Sequence, residues 1–136
     1  MISTKGRYAL VAMVDIAINS KVDGVVSIKD ISKREDISEK YLEQVISSLV
    51  KARLLRSIRG SNGGYVLNRP ISSYSAFDIL SATEGELSPI LNIDVSSSTY
   101  PFWKKYEEVV EGFLKSISLE NIINDSKNRN YFDYSI

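Results

Sequence analysis

Leu42, Val45, Ile46, Leu49 and Val50 recur at i, i+3, i+4, i+7 and i+8, and the rhythm then gives way to a β-prone run. The first pattern is one apolar face of an amphipathic helix. The run that follows is Leu54-Leu55-Arg56-Ser57-Ile58-Arg59, then Gly60-Ser61-Asn62-Gly63-Gly64, then Tyr65-Val66-Leu67. Two β-prone segments around a loop with three glycines read as a hairpin. Upstream, Ser27-Ile28-Lys29-Asp30 fits a Ser-x-x-acid form of the capping box. It opens a helix of about two turns that ends near Glu35-Asp36, with Ile28 and Ile31 inward. Ser38 is the N-cap of the next helix, over 38–51. Two helices joined by so short a turn are a helix-turn-helix candidate. An earlier helix over 4–20 carries Tyr8, Val11, Met13, Val14, Ala17 and Ile18 and is expected to be largely buried. Helix, helix-turn-helix and hairpin in that order make a winged helix: mainly α, with a small β-hairpin wing.

The rest of the chain reads differently. Pro70 breaks the pattern, and Ser75-Ala76-Phe77-Asp78 caps a short helix to about Glu84. A loop over 85–99 follows, with Pro89 and Ser96-Ser97-Ser98-Thr99 inside it. Pro101 suits the first position of a long helix, about 17 residues and roughly 25 Å long. Phe102, Trp103, Tyr106, Val109, Val110, Phe113, Leu114 and Ile117 form its apolar face, and Lys104, Lys105, Glu107, Glu108, Glu111 and Lys115 lie mostly opposite. Ser118-Leu119-Glu120 restarts a short turn of helix, and the tail is polar, then aromatic. The expected division is a winged helix-turn-helix domain over 1–84, a loop and candidate sensing region over 85–100, and a dimerisation helix with C-terminal tail over 101–136.

Composition removes several chemistries. The 136 residues include no cysteine and no histidine. Disulfides, thiolate zinc sites, cysteine-ligated iron–sulfur clusters and Cys/His catalysis are thereby excluded. The formal net charge is zero, which taken whole argues against nucleic acid. Resolved by position, residues 1–69 hold twelve Lys/Arg against seven Asp/Glu, and residues 70–136 hold five against ten. The halves are therefore +5 and −5, an asymmetry that suits one face toward a polyanion. No run is apolar enough for a transmembrane helix. The apolar run over 8–18 contains Asp15 and lacks a small-residue cleavage site, so it is not read as a signal peptide. The expected location is the cytoplasm, with no membrane partner.

The helix over 38–51 offers Ser38, Lys40, Glu43 and Gln44 on its first turn and polar face. Those side-chain types read major-groove base edges. A solvated helix face accounts for that helix alone equally well. The hairpin shifts the balance. Arg56 and Arg59 precede a loop whose Gly60, Gly63 and Gly64 let backbone approach a phosphate closely, and an Arg at a wing tip can enter a narrow minor groove. A nucleotide-binding loop fails on detail, because neither P-loop nor G-x-G-x-x-G spacing is present. The aromatic stripe from Phe102 to Ile117 is expected to bury against a second copy, and a two-fold dimer suits palindromic double-stranded DNA. No catalytic constellation appears, so the chain is not read as an enzyme; neither a metal nor a cofactor is specified.

Ser3-Thr4-Lys5-Gly6-Arg7-Tyr8-Ala9-Leu10, Tyr41-Leu42-Glu43-Gln44 and Ser57-Ile58-Arg59-Gly60 with Gly63-Gly64-Tyr65-Val66-Leu67 together resemble the Rrf2 family of bacterial transcription regulators. The resemblance covers nearly the whole chain. It implies a dimeric winged-helix DNA binder with a long crossed dimerisation helix. It also implies that Ser38, Lys40, Glu43 and Gln44 face the major groove, that Tyr41 touches the backbone and Arg59 the minor groove, and that Ser3, Thr4, Lys5 and Arg7 approach phosphates. Cluster-binding members carry three cysteines before the dimerisation helix; here stand Asn92, Ser96, Ser97, Ser98 and Thr99. The chain is most similar to the cluster-free repressors of cysteine metabolism, a likeness that rests on Glu84-Gly85-Glu86-Leu87-Ser88-Pro89, Leu119-Glu120 and the aromatic tail. Repressors of that branch bind cysteine synthase, and Tyr134-Ser135-Ile136 either presents a terminal carboxylate to it or packs on its own dimer. A winged-helix protein–protein adaptor, or a regulator of another set of genes, is the alternative.

Overall fold

Burial of one helical face organises the molecule, and that face is the one its periodicity marks. In the computed structural model, which describes residues 2–85 and 93–128, helix α3 (Glu39–Lys51) buries Leu42, Val45, Ile46 and Leu49. A 13-residue helix is marginal on its own; four buried aliphatic side chains, each contributing about 1.5–3 kcal/mol, supply what propensity does not. Its partners are α1 (Thr4–Asp23), α2 (Ile28–Glu35) and α4 (Ala76–Glu84). Ala9, Ala12, Met13, Ile16 and Ala17 of α1 run through the centre of the core. Helix α1 extends past the expected end at residue 20 because Gly24, at φ 80°, caps it by donating its N–H to the Ser20 carbonyl.

The turn between α2 and α3 is built from Asp36, Ile37 and Ser38. Asp36 closes α2 in the left-handed region, φ 54° and ψ 49°, which Asp tolerates better than most residues. Ile37 plugs into the core, and the Ser32 hydroxyl donates to its carbonyl at 2.6 Å. Ser38 caps α3 as expected, accepting from Tyr41 N–H at 3.1 Å; at α2, Ser27 accepts from Asp30 N–H at 3.1 Å, which is one half of the expected capping box. Across the outside of this motif, Asp15 of α1 receives both the Nε and a terminal nitrogen of Arg34 at 3.0 and 2.7 Å.

The hairpin pairs β1 (Leu55–Ile58) with β2 (Gly64–Leu67) antiparallel, in the register Leu55↔Leu67 to Ile58↔Gly64. Val26 adds a third, single-residue rung: its N–H donates to the Tyr65 carbonyl at 3.0 Å and its carbonyl accepts from Tyr65 N–H at 2.8 Å. Val26 is buried in the core, so the extended Val25-Val26 segment ties the hairpin to the body of the domain. At the wing's root, buried Tyr74 donates its hydroxyl to the Leu54 carbonyl and accepts from the Asn68 and Arg69 N–H groups.

Helix α4 carries the complete capping box of Ser75 and Asp78. Helix α5 (Tyr100–Ser116) follows the expectation closely, yet buries no residue fully within the chain. The segment after it is longer than the single turn expected from sequence. It forms α6 (Leu119–Lys127), with its own Ser118–Asn121 capping box. Leu119 and Ile123 enter the main core, because Ser118 pairs with Ser75 and the Ile117 carbonyl accepts from Ala76 N–H at 2.8 Å.

Candidate nucleic-acid interface

One face of α3 is turned away from the core. Ser38, Lys40, Glu43, Gln44 and Ser47 are all exposed. Ser38 accepts the cap bond through one lone pair of its hydroxyl oxygen and keeps its hydroxyl hydrogen free to donate. Lys40 forms no ion pair among the described residues. Tyr41 is half-buried, with its ring edge-on to Tyr8 at 5.4 Å; this contact joins the second turn of α1 to the first turn of α3.

The hairpin stands beside this face. Glu43, Ser47 and Lys51, at i, i+4 and i+8 on α3, share a groove with Ser57 and Tyr65 of the hairpin, floored by Ile28, Ile46 and Val50. The polar stripe of α3 and the wing are thus adjacent walls of one surface. Arg56 and Arg59 are exposed and without an ion-pair partner among the described residues, as are Lys51 and Arg53 at the end of α3. Lys40, Lys51, Arg53, Arg56 and Arg59 together outweigh Glu39 and Glu43 on this surface, and an excess of positive charge shared by a helix and a neighbouring hairpin is an electrostatic footprint for phosphate.

The three glycines of the wing have different reasons to be glycine. Gly60 sits at φ 115°, where only glycine is comfortable. A Cβ on Gly63 would strike the Ile58 carbonyl oxygen, which closes the turn together with the Gly63 N–H to Gly60 carbonyl bond of 3.0 Å. A Cβ on Gly64 would lie 2.7 Å from the Val26 carbonyl oxygen. Gly60 belongs to the exposed tip, whereas Gly64 lets Val26 dock on the hairpin.

At the start of the chain, Arg7 is exposed and donates to the Thr4 hydroxyl at 3.1 Å, while Lys5 is half-buried. Ser3 is the N-cap of α1, accepting from Gly6 N–H. Its own N–H and hydroxyl both donate to one carboxylate oxygen of Glu84, at 2.9 and 2.6 Å. Sequence reasoning did not find Glu84: its partner stands 81 positions away. It also missed the Asp15–Arg34 pair and the Tyr74 hydroxyl.

The aromatic stripe of α5 divides in two. Trp103, Val110, Leu114 and Ile117 are half-buried within the chain. Phe102, Tyr106, Val109 and Phe113 are 61, 47, 72 and 61% exposed, and their spacing of 4, 3 and 4 residues draws a straight apolar seam. In the candidate sensing region, Asp94 accepts from the Ser96 N–H and hydroxyl, and these bonds hold its carboxyl below the usual range. Residues 86–92 of that region, and the expected partner-binding Tyr134, Ser135 and Ile136, lie outside the described residues.

Two charge features sit behind the interface. The hydrogen-bonded Asp15 carboxylate pushes the Arg34 guanidinium above its ordinary pKa. Partial desolvation, with the charge of Asp15, lifts the carboxyl of the neighbouring, exposed Glu35 above its ordinary pKa. No described helix is long and apolar enough to cross a membrane.

Comparison with known proteins agrees with this architecture. Residues 2–125 match the Rrf2 family, described as iron-dependent transcriptional regulators. CymR of Bacillus subtilis, an HTH-type transcriptional regulator, is 38% identical over 122 residues, which cover 89% of this chain and 88% of that protein. IscR of Klebsiella pneumoniae, also an HTH-type regulator, is 35% identical over 133 residues, 93% of this chain and 81% of that one. The solved structure of B. subtilis CymR, described as the global cysteine regulator of that organism, superposes with a TM-score of 0.81 at 36% identity, covering 91% of this chain and 96% of CymR. Both relatives are named as regulators, and neither as an enzyme. The iron in the family description does not fit this chain: cysteine and histidine are absent from the sequence, and no three acidic side chains among the described residues gather as a metal site. With a family match over most of its length and relatives that share its winged helix, the chain belongs to the Rrf2 family of transcriptional regulators.

Proposed function

We propose that the protein is a sequence-specific DNA-binding repressor that acts as a homodimer and carries no iron–sulfur cluster. The observation that carries this reading is the set Lys40, Gln44 and Arg59, exposed and with no side-chain partner among the described residues, presented by α3 and the adjoining wing. Helix α3 enters the major groove: Gln44 reads adenine, Lys40 guanine, Glu43 cytosine N4, and Ser38 either partner. Tyr41 meets the sugar–phosphate backbone. Arg59 at the wing tip enters the minor groove, with Arg56 and the exposed tip glycine close to phosphate. Ser3, Thr4, Lys5 and Arg7 extend the backbone contacts.

The exposed seam of Phe102, Tyr106, Val109 and Phe113 supports the homodimer. Four large apolar groups in a straight line on one helix are the kind of patch that closes on a two-fold copy. Such a dimer places two α3 helices on half-sites about one helical turn apart, so the operator is palindromic. Likeness to the B. subtilis cysteine regulator supports genes of cysteine and sulfur supply as the targets.

Selection from a randomised duplex library tests the reading. The expected product is a palindrome. Gln44→Ala then relaxes preference at one base pair of each half-site by about 1–3 kcal/mol, and Arg59→Ala weakens all sequences. A Gln44→Ala protein with the parent's preference at every position contradicts the proposed base reading.

A further inference from the structure

Helix α1 has no acidic residue in its own first turn. Its positive end, which favours an anion, is instead served by Glu84, the last residue of α4. One Glu84 oxygen takes the Ser3 N–H at 2.9 Å and the Ser3 hydroxyl at 2.6 Å. Gly6 makes room for it: a Cβ there would overlap that same oxygen and approach Ile2 Cγ2 to 2.9 Å. Ser3 in turn accepts from Gly6 N–H at 3.3 Å, so carboxylate, cap and glycine form one closed unit. The next turn of α1 touches α3 through the Tyr8–Tyr41 edge contact.

The first turn of a helix lacks intrahelical partners for its N–H groups and frays unless something ties it down. Thr4, Lys5 and Arg7 follow directly on the tied residue. We propose that Glu84 is a positioning residue for DNA binding. By holding Ser3 it fixes the first turn of α1, and with it the backbone contacts of Thr4, Lys5 and Arg7, relative to the base-reading helix. The inference rests on the DNA-binding reading above and adds a residue that does not itself face DNA.

Two effects of Glu84 oppose one another, and this makes the inference testable. As a charge, a carboxylate close to DNA repels phosphate, so any neutral substitution strengthens binding. As a tether, it matters only that an oxygen accepts from Ser3. Glu84→Gln keeps such an oxygen and loses the charge; Glu84→Ala loses both. Gly6→Ala leaves every polar group in place but fills the space the carboxylate occupies, while adding a better helix former.

The experiment is fluorescence anisotropy on a labelled duplex enriched by the wild-type protein from a randomised library, over a series of salt concentrations, with thermal unfolding of each variant. Glu84→Gln is expected to bind as tightly as wild type or tighter. Glu84→Ala and Gly6→Ala are expected to bind about tenfold more weakly, with a salt slope shallower by about one to two, since each lost phosphate contact removes about 0.9 from it. Glu84→Ala binding as tightly as wild type, Glu84→Ala and Glu84→Gln moving in the same direction, or weakened binding at an unchanged slope overturns the inference. If Glu84→Ala does not fold, Glu84→Gln against Gly6→Ala decides by the same criteria. A wild-type protein that enriches no duplex sinks the DNA-binding reading and this inference with it; enrichment with Glu84→Ala unimpaired sinks this inference alone.

Discussion

Tyr74→Phe removes one oxygen from the root of the wing and leaves the ring that packs there. Tyr74 is completely buried. Its hydroxyl donates to the Leu54 carbonyl at 2.8 Å and accepts from the Asn68 and Arg69 N–H groups at 2.8 and 3.0 Å. Three hydrogen bonds at a net contribution of about 1 kcal/mol each give an upper figure of about 3 kcal/mol. Asn68 and Arg69 are exposed, so water can replace part of what they lose. Leu54 is buried, and its carbonyl loses a buried donor at a cost of about 1–3 kcal/mol. The expected destabilisation is about 2–3 kcal/mol. At roughly 3–4 °C per kcal/mol for a chain of this size, Tm falls by about 6–12 °C. The assay is thermal unfolding at fixed protein concentration, because association shifts Tm, with amide exchange at residues 68 and 69 as the local readout. Faster exchange at those two amides is expected before the rest of the core opens. A Tm within about 2 °C of the parent and unchanged exchange refute the reasoning that this hydroxyl anchors the hairpin.

Other positions give independent tests. Arg34→Met strands the Asp15 carboxylate, whose side chain is 3% exposed while that of Arg34 is 37% exposed; solvent at the guanidinium trims the usual cost of breaking a buried pair to about 2–3 kcal/mol, and Asp15→Asn in the same chain recovers part of it in a denaturant cycle. Glu35→Gln acts through pH: the folded Glu35 binds its proton more tightly than the unfolded chain does, so the ionised form weakens the fold at neutral pH and the penalty lifts as pH falls through the raised value. The variant is therefore more stable than its parent near neutrality, and the gap closes by about pH 4; a gap that widens in acid contradicts this. Gly63→Ala drives a Cβ into the backbone carbonyl of Ile58 and is expected to cost about 1–3 kcal/mol while lowering DNA affinity, read by anisotropy. Val109→Glu, at a position 72% exposed, changes the stability of a single chain by less than about 0.5 kcal/mol and yields a monomer in analytical ultracentrifugation; a dimer of unaltered affinity contradicts the seam.

What the sequence displayed, and what it hid, follow from the range of the forces involved. Helix α3 was legible because Leu42, Val45, Ile46 and Leu49 meet one core face and their spacing is the helix period itself. The caps at Ser27, Ser38 and Ser75 were legible because a cap is a bond between residues three apart. The sequence of α6 suggests only a single turn, because in Leu-Glu-Asn-Ile-Ile-Asn-Asp-Ser-Lys the apolar residues are few. Its burial of Leu119 and Ile123 is decided by the bridge to Ser75, far away in the chain. The single stripe of α5 is visible in the sequence, but not its division into an inner side half-buried where α5 meets α4 and an outer seam; that depends on where α4 lies. The surface residues Lys40, Gln44 and Arg59 were chosen by chemical type and stand exposed. In the sequence Glu84 is an acid at the C-terminal end of a helix, where an acid is locally unfavourable. That local misfit is the one signal that could have pointed to a distant donor.

The central claim is that α3 and the wing recognise a DNA sequence, and the ratio of specific to random binding measures it most directly. Anisotropy titrations on the selected duplex and on a scrambled duplex of equal length, each over a range of salt, separate base reading from phosphate attraction. The prediction is an affinity for the selected duplex at least about a thousandfold above the scrambled one, with both falling steeply as salt rises. Equal affinity for the two duplexes contradicts the account.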